Sequence, residues 1–424
     1  MAAVGFGVAS VIVAMVAMAL SICIAEAITY PADVVALREL KAAIDPASIH
    51  STSCVGSWDF SSDPCDDLSS TVFVCGFQCA MADDQTMRIT SITLDGFGYV
   101  GTLPASLGNF SSLQLLDMSG NAFHGSIPDS ISRLTLLSKL DLSRNSLSGS
   151  IPPSIGQLSS LQQLCLSYNL LGGAIPTSIN SLLSLERLYL FNNRLTGGIP
   201  AMHNLNQLLF FDASNNLLSG SLSAPLPPSL MQLSLRGNQL QGRLPEDLLL
   251  LQQLEVMDLS SNSFTDAVDG ALFQLPSLQQ LNLSNNKLTA ISIPEDVDAG
   301  SSQLIAIDIS YNYIHGSLPL FLVEMKKLSA LSLRHNFLSG AIPIQYALKA
   351  VASLLVGAQP LMRLYLDGNY LAGDLPAPFL RISPGTIAAS FTDNCLLSCP
   401  ISLPFCQGGS QKSQSECEHF TSLP

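Results

Sequence analysis

One pattern of leucines recurs along most of the 424-residue chain and constrains its fold more than any other feature. It is visible in "LDLSRNSLSGSIP", "LYLFNNRLTGGIP" and "LSLRHNFLSGAIP", which share spaced leucines, an asparagine and a closing Gly-x-Ile-Pro. The asparagine recurs, mostly 24 residues apart, at positions 121, 145, 169, 193, 216, 238, 262, 286, 312, 336 and 369, and Phe97 takes its place in a first copy. Twelve copies of one short unit predict a solenoid, because no single copy can bury its apolar face alone.

The pattern L-x-x-L-x-L-x-x-N-x-L is that of the leucine-rich repeat, and the closing L-x-G-x-I-P resembles the form found in plant extracellular proteins. The chain thus resembles plant receptor-like proteins and receptor-kinase ectodomains, and more distantly polygalacturonase-inhibiting proteins. The resemblance implies an α/β solenoid: a leucine-rich-repeat superhelix with a parallel β concave face, a 3-10 or irregular outer face, and disulfide caps at both ends.

Each recurring letter has a physical role. The leucines face inward in a column, while the asparagine satisfies backbone groups of a buried bend. Glycine and proline turn the chain towards the outer face. Copies that depart from the pattern predict irregularity on that face. Shortened copies carry the Pro-rich "SAPLPPS", two later copies lose Gly-x-Ile-Pro, and about nine extra residues after Pro343 are expected to form a helix.

The N-terminus is apolar up to "AEA" at positions 25–27, the small-x-small pattern of a signal-peptidase site. We expect a signal peptide there, with an uncleaved anchor as the alternative because the segment lacks Lys and Arg.

Eight cysteines fall into two terminal groups, which predicts two disulfide-paired caps in an oxidising compartment. They are Cys54, Cys65, Cys75 and Cys79, and Cys395, Cys399, Cys406 and Cys417. The sequence leaves three pairings open in each group.

The segment "PADVVALRELKAAIDP" is predicted to contain a helix that covers the first repeat, because its apolar residues share one helical face. These residues are Val34, Leu37, Leu40 and Ile44. With Trp58 and the first cysteines, the segment resembles the N-terminal cap of plant leucine-rich-repeat receptors, and the last cysteines resemble their C-terminal cap. The predicted organisation is a signal peptide over 1–27, an N-terminal cap over 28–88, twelve repeats over 89–387, and a C-terminal cap and tail over 388–424.

Charge and motifs argue against several classes of function. A net charge of −14 would repel nucleic acid. The chain has no serine-hydrolase, metalloprotease or kinase motif, so we expect no enzyme, no cofactor and no metal. "GFGYVG" resembles a phosphate-binding loop, but "TLP" follows it where a helix would begin. Aspartates align at positions 117, 141, 212, 258 and 308, and we interpret them as a solvated polar column that Cys165 interrupts as a tolerated small residue.

The variable positions of each copy are expected on the concave sheet, where parallel strands lie about 4.8 Å apart. Two groups of copies carry aromatic and cationic residues there, the composition of binding hot spots. The first patch comprises Lys139, Arg144, Tyr168, Arg187, Tyr189, Phe191, Asn192 and Phe210. The second, weaker patch comprises Tyr311, Arg334, His335, Arg363, Tyr365 and Asp367. The alternative for both is a scatter of exposed residues that bind nothing.

Two N-x-S sequons qualify this surface. Asn109 lies on the loop side of its copy, whereas Asn282 lies in the central column of the concave strand, between the two patches. A glycan at Asn282 would shield the sheet there. Ligand contact is then expected to be divided, or confined to the N-terminal half.

These features predict a secreted, glycosylated recognition protein of the plant apoplast or cell wall, with the cell surface as the alternative location. It would bind an extracellular peptide, glycan or protein on its concave face, or pair with a receptor-like kinase, in signalling or defence. No membrane span is expected in the mature chain. Two alternatives stay open: an inhibitor of a secreted cell-wall hydrolase, and the truncated ectodomain of a membrane receptor-like protein.

Overall fold

A computed structural model describes residues 28–66, 75–223, 225–293, 298–351, 359–383 and 385–421, so the predicted signal peptide lies outside the described residues. A 14-stranded sheet, here called the main sheet, takes one short strand from each repeat. Its first two strands pair antiparallel and the rest pair parallel. The strands are Phe77–Met81, Met87–Thr93, Leu115–Asp117, Lys139–Asp141, Gln163–Cys165, Arg187–Tyr189, Phe210–Asp212, Gln232–Ser234, Val256–Asp258, Gln280–Asn282, Ala306–Asp308, Ala330–Ser332, Arg363–Tyr365 and Ala388–Ser390. The predicted solenoid with a parallel sheet is confirmed.

Shorter ladders follow the repeat asparagines along a second edge of the solenoid. Their strands are Val100–Thr102, Ala122–Gly125 and Ser146–Leu147; then Gly172–Ala174, Arg194–Gly197, Leu217–Gly220, Gln239–Arg243, Ser263–Asp269 and Lys287–Ser292; then His315–Gly316, Phe337–Ala341, Tyr370–Asp374 and Cys395–Ser398. The side opposite the main sheet, here called the helical side, carries short 3-10 helices. They are Ala105–Asn109, Asp129–Arg133, Pro153–Gln157, Thr177–Ser181, Glu246–Leu250, Gly270–Gln274, Ala299–Ser301 and Ala377–Arg381, with Pro46–Ser48 and Pro404–Cys406 in the caps.

The departures from the repeat pattern appear where the sequence predicts them. The described residues between 198 and 231, which include the Pro-rich stretch, contain no 3-10 turn. The copies without Gly-x-Ile-Pro have the two longest strands of the shorter ladders, Ser263–Asp269 and Lys287–Ser292. The helix expected after Pro343 is present over Ile344–Ala350, and a four-residue helix, Phe321–Glu324, precedes it.

The repeat asparagines join each repeat to the one before it. Asn286 is 6% exposed, and its Nδ2 donates to the carbonyls of Leu259, Leu283 and Ser284 at 3.1, 3.1 and 3.3 Å. Its Oδ1 accepts from the backbone N–H of Phe264 in the preceding repeat at 3.1 Å. The other repeat asparagines from Asn145 to Asn369 make equivalent bonds. The predicted role of this side chain in satisfying a buried bend is therefore confirmed.

A further rung, which the repeat pattern does not reveal, lies at the C-terminal end. Asn394 donates to three backbone carbonyls, accepts from the N–H of Leu371, and follows the strand Ala388–Ser390. The pattern is hidden because Ala389 and Phe391 stand where other copies have leucine. The segment predicted as a C-terminal cap thus begins with a thirteenth repeat strand.

The N-terminal cap closes the core with the helix Pro31–Ala42, which buries Leu37 and Leu40. The same helix buries Asp33, a contact that apolar spacing does not predict. The Asp33 carboxylate lies 3.1 Å from Arg88 Nε and accepts from the N–H of Ile89 at 3.0 Å. A buried carboxylate is tolerated here because it is paired and hydrogen-bonded.

The predicted cysteine groups form the expected disulfides, and the structure selects one pairing in each. Cys54 pairs with Cys75 beside the short helix Cys54–Ser57, and Cys65 pairs with Cys79. Cys395 pairs with Cys417 in the helix Gln414–Thr421, and Cys399 pairs with Cys406. Within the described ranges, no helix has the length and hydropathy that crossing a bilayer requires.

Replacing Asn286 by alanine should lower the free energy of unfolding by about 2–4 kcal/mol, because buried backbone groups of two repeats lose their partners. Urea unfolding followed by far-UV circular dichroism measures the change. Asn206→Ala on the exposed helical side is the control and should change the free energy by less than about 0.5 kcal/mol. Equal losses in the two variants would contradict the role of the asparagines.

Candidate ligand-binding surface

The first patch lies on the solvent-facing side of the main sheet, here called the sheet face. Backbone pairing aligns Lys139 with Gln163, Gln163 with Arg187, and Arg187 with Phe210 on consecutive strands. These four side chains are half-buried, and the leucines that alternate with them, such as Leu188, are fully buried beneath. The register of the sheet therefore brings residues of four repeats onto one surface.

Four side chains of the first patch form a continuous run of ring contacts. The guanidinium carbon of Arg144 lies 4.6 Å from the ring centroid of Tyr168. Tyr168 meets Phe191 edge to face at 5.2 Å, and Phe191 meets Tyr189 edge to face at 6.4 Å between centroids. Burial raises the pKa of the Tyr189 hydroxyl, so this ring stays neutral well above neutral pH. The run gives a semi-rigid aromatic surface with a cation at one end.

A second cation–ring pair extends the patch. The guanidinium carbon of Arg187 lies 5.3 Å from the centroid of Phe210, and its only ion pair among the described residues is a 3.7 Å contact with Glu186. Arg144 forms no ion pair with any described residue. Of the two arginines, Arg144 therefore has no carboxylate partner among the described residues, whereas Glu186 partly matches the charge of Arg187.

Lys139 differs from the two arginines because its charge is matched within the sheet. Its Nζ lies 2.9 Å from Asp117 and 3.7 Å from Asp141. Although burial opposes it, hydrogen bonds from Ser119 and Lys139 hold the pKa of Asp117 below its usual range. Lys139 is therefore held by the aspartate column and adds little net positive charge to the first patch.

The residue before the repeat asparagine has a left-handed backbone conformation in most repeats. The φ angles are 54° at Arg144, 54° at Tyr168, 55° at Asn192, 55° at Tyr311 and 50° at His335. Glycine occupies the same position at residues 120, 237 and 368. This conformation is strained for large side chains and easy for glycine. The bulky residues Arg144, Tyr168, Tyr311 and His335 at these positions each make a ring contact with a neighbouring side chain.

The aspartate column is more than a solvated polar face. Asp141 Oδ1 accepts from the backbone N–H of Ser143 at 3.1 Å and from its hydroxyl at 2.7 Å. The same carboxylate–serine bonds recur at Asp117, Asp258 and Asp308. Each aspartate thus fixes the turn that leads to the next asparagine, a local structural reason for its presence.

The second patch satisfies most of its own charges. Arg334 Nη2 lies 3.0 Å from Asp367, and the guanidinium carbon lies 4.7 Å from the ring centroid of Tyr365. Tyr311 and His335 stack at 4.5 Å between ring centroids. Arg363 is exposed and forms no ion pair with any described residue.

A depression of about 470 Å³ on the sheet face is lined by four residues of the second patch, Tyr311, Arg334, Arg363 and Tyr365. Backbone pairing aligns Gln280, Ala306, Ala330 and Arg363 on consecutive strands, so two alanines lie between two long side chains. The small alanine side chains create the depression, and Asn282 lines its edge. The other sequon residue, Asn109, ends a 3-10 turn and is exposed on the helical side.

Cys165 is buried between Asp141 and Tyr189 on adjacent strands and is the single free cysteine among the described residues. Its sulfur lies 3.1 Å from the side-chain amide of Gln163. Burial raises the pKa of its thiol to about 11. The residue is an inert part of the column, directly beneath the first patch.

The repeats match two family models. One, described as "Leucine rich repeat", matches residues 228–288. Another, described as "Leucine Rich Repeat", matches residues 112–134, 136–158, 160–182 and 184–205. The matched segments are leucine-rich repeats. The matched segments include every residue of the first patch except Phe210.

Similar proteins include receptor-like proteins of a plant. Receptor-like protein 18 of Arabidopsis thaliana is 34% identical over 139 residues, 33% of this chain and 15% of that protein. Receptor-like protein 35 of the same plant is 38% identical over 206 residues, 41% of this chain and 21% of that protein. Each match thus spans about a fifth or less of the relative's length.

Among solved structures, the plant peptide hormone receptor RGFR1 in complex with RGF2 has a TM-score of 0.67 and 31% identity, covering 76% of this chain and 51% of that one. Together with the relatives above, this match confirms the predicted resemblance to plant receptor-like proteins and receptor ectodomains.

Alkylation of Cys165 by iodoacetamide at pH 8 should be about a hundredfold slower in the native protein than in the urea-unfolded chain. The thiolate is the nucleophile, and a pKa of about 11 instead of 9.0 lowers its fraction by about that factor. Because the folded thiol holds its proton more tightly, the native rate should rise about tenfold per pH unit between pH 8 and 10. Peptide mass spectrometry measures both rates, and equal native and unfolded rates would show that the thiol is accessible.

Proposed function

We propose that this leucine-rich-repeat protein is an extracellular plant recognition protein that binds a peptide, glycan or protein ligand, or a receptor-kinase partner, through the first patch. The observation that carries the proposal is the run of rings from Tyr168 to Tyr189 with Arg144 and Arg187 beside it. The disulfide-paired caps support an extracellular location in the apoplast or cell wall, since such bonds persist in oxidising compartments.

The composition of the patch suits recognition. Aromatic and arginine side chains give a large contact area for little loss of conformational freedom, and they are enriched among residues that dominate binding energy. Stacking on Tyr168 and Phe210 holds the two guanidinium groups in place before a ligand arrives. A planar guanidinium binds carboxylate or phosphate groups through two parallel hydrogen bonds. We therefore expect the ligand to present an acidic group near an apolar one.

The similar proteins support the class of this function. The solved RGFR1 structure is that of a peptide hormone receptor in a complex, and the curated relatives are receptor-like proteins. A chain of this type recognises a ligand and leaves catalysis to a partner, so we propose that it is not an enzyme. Signalling or defence at the plant cell surface is the process that fits such a division of labour.

Alanine replacement of Arg144, Tyr189 and Phe191 together should weaken ligand binding by at least about thirtyfold, since truncation of even one hot-spot residue costs about 2 kcal/mol or more. The measurement is a pull-down from apoplastic fluid with wild type and variant as bait, followed by a titration of the recovered partner. Recovery of a receptor kinase or a small ligand supports recognition, and recovery of a glycosidase instead supports the inhibitor alternative.

The matched control replaces Tyr311, Arg363 and Tyr365 by alanine in the second patch. This variant should recover the same partners as wild type with similar affinity. If the first-patch variant recovers the same partners as wild type, or if only the second-patch variant loses them, the assignment of the site to the first patch is wrong.

A further inference from the structure

Asn282 and Asn286 differ in what their amide groups do, although only four residues separate them. The Oδ1 of Asn282 accepts from the backbone N–H of Ser284 at 3.1 Å and from its hydroxyl at 2.7 Å. Its Nδ2 donates no hydrogen bond to any described residue, whereas the Nδ2 of Asn286 donates three. The amide nitrogen of the sequon is therefore free to carry a substituent without disturbing the asparagine ladder.

The position of Asn282 directs such a substituent into a defined space. Asn282 pairs with Asp308 on the next strand and lines the depression of about 470 Å³. Ala306 and Ala330 leave room beyond it, and the rings of Tyr311 and Tyr365 in the second patch line the depression too. A space of this size is at the small end of ligand pockets and suits about one or two sugar residues.

We propose that Asn282 carries an N-linked glycan whose first sugars pack in this depression against the second patch. The side chains of Gln280 and Asp308 line the depression and offer hydrogen bonds to sugar hydroxyl and acetamido groups, while the Ser310 hydroxyl donates to Asp308. The tyrosine rings offer apolar faces to the C–H groups of a sugar. Arg334 and Arg363 line the depression as well, and their N–H groups can donate to sugar oxygens.

The co-reactant of this modification is the glycosyl donor of the secretory pathway, a lipid-linked oligosaccharide diphosphate. The Nδ2 of Asn282 attacks the anomeric carbon of the first sugar. The N–C bond forms as the bond between that carbon and the diphosphate oxygen breaks, and one amide proton leaves. Ser284 is the third residue of the sequon and supplies the hydroxyl that the N-x-S motif requires.

The glycan gives the two patches different roles. In the second patch, the stacked pair Tyr311–His335 and the ion pair Arg334–Asp367 form a wall for the chain's own sugar. The first patch lies several strands away and stays open to a partner. This inference goes beyond the proposed function, and it can be tested without identifying a ligand.

The first test is glycan occupancy in the full chain secreted from plant cells. Peptide mapping by mass spectrometry should find a glycan at Asn282 in wild type and in Ser284→Thr, which keeps the sequon. Asn282→Asp and Ser284→Ala should lose it. Aspartate occupies the same column at Asp258 and Asp308, so Asn282→Asp is compatible with the fold. An unmodified Asn282 in wild type, while host glycoproteins in the same medium carry glycans, would overturn the proposal.

The second test asks where the glycan lies. Arg363 is exposed and lines the depression, and Arg144 is exposed in the first patch. Phenylglyoxal, an arginine reagent, should label Arg363 severalfold less in wild type and Ser284→Thr than in both glycan-free variants, with equal labelling of Arg144 throughout. Agreement between Asn282→Asp and Ser284→Ala removes the effect of the added charge. A glycosylated Asn282 with Arg363 labelled equally in all four proteins would show that the sugar points away from the depression.

Discussion

The side-chain amide of the repeat asparagine is the contact on which the rest of this structure depends. From Asn145 onwards, each one donates to carbonyls of its own repeat and of the preceding one, and accepts from an N–H of the preceding repeat. Bends that turn the chain away from the main sheet lie in the core, where unpaired backbone groups would be costly. Because the same bonds recur from repeat to repeat, neighbouring strands share one register, and the position of every residue on the sheet face follows from it.

Periodicity explains how much of the fold could be predicted from the sequence. Spaced leucines and asparagines locate the strands, so the solenoid, the helix after Pro343 and the irregular Pro-rich stretch were all predictable. Contacts between residues far apart in the sequence were not predictable from this periodicity. The buried ion pair between Asp33 and Arg88 is an example. The thirteenth strand is hidden for a related reason. Phe391 fills the core in place of a leucine, so the leucine periodicity does not extend to this strand.

The candidate surface was predictable in position but not in chemistry. A fixed register places Arg144, Tyr168 and Arg187 on one face, which the repeat alone implies. The repeat pattern does not predict that two aspartates neutralise Lys139, because that neutralisation depends on distances between side-chain atoms. The depression beside Asn282 arises from small side chains on two adjacent strands, and such pairs become neighbours only when the repeats are aligned in space.

The helix Ile344–Ala350 has a consequence for how such chains diversify. It lengthens the connection between two strands, yet Ala330 still pairs with Arg363 as other strands pair with their neighbours. Insertions behind the sheet therefore leave the separation of adjacent strands unchanged. Length on the helical side can therefore vary in this architecture without moving the side chains that the sheet face presents to solvent.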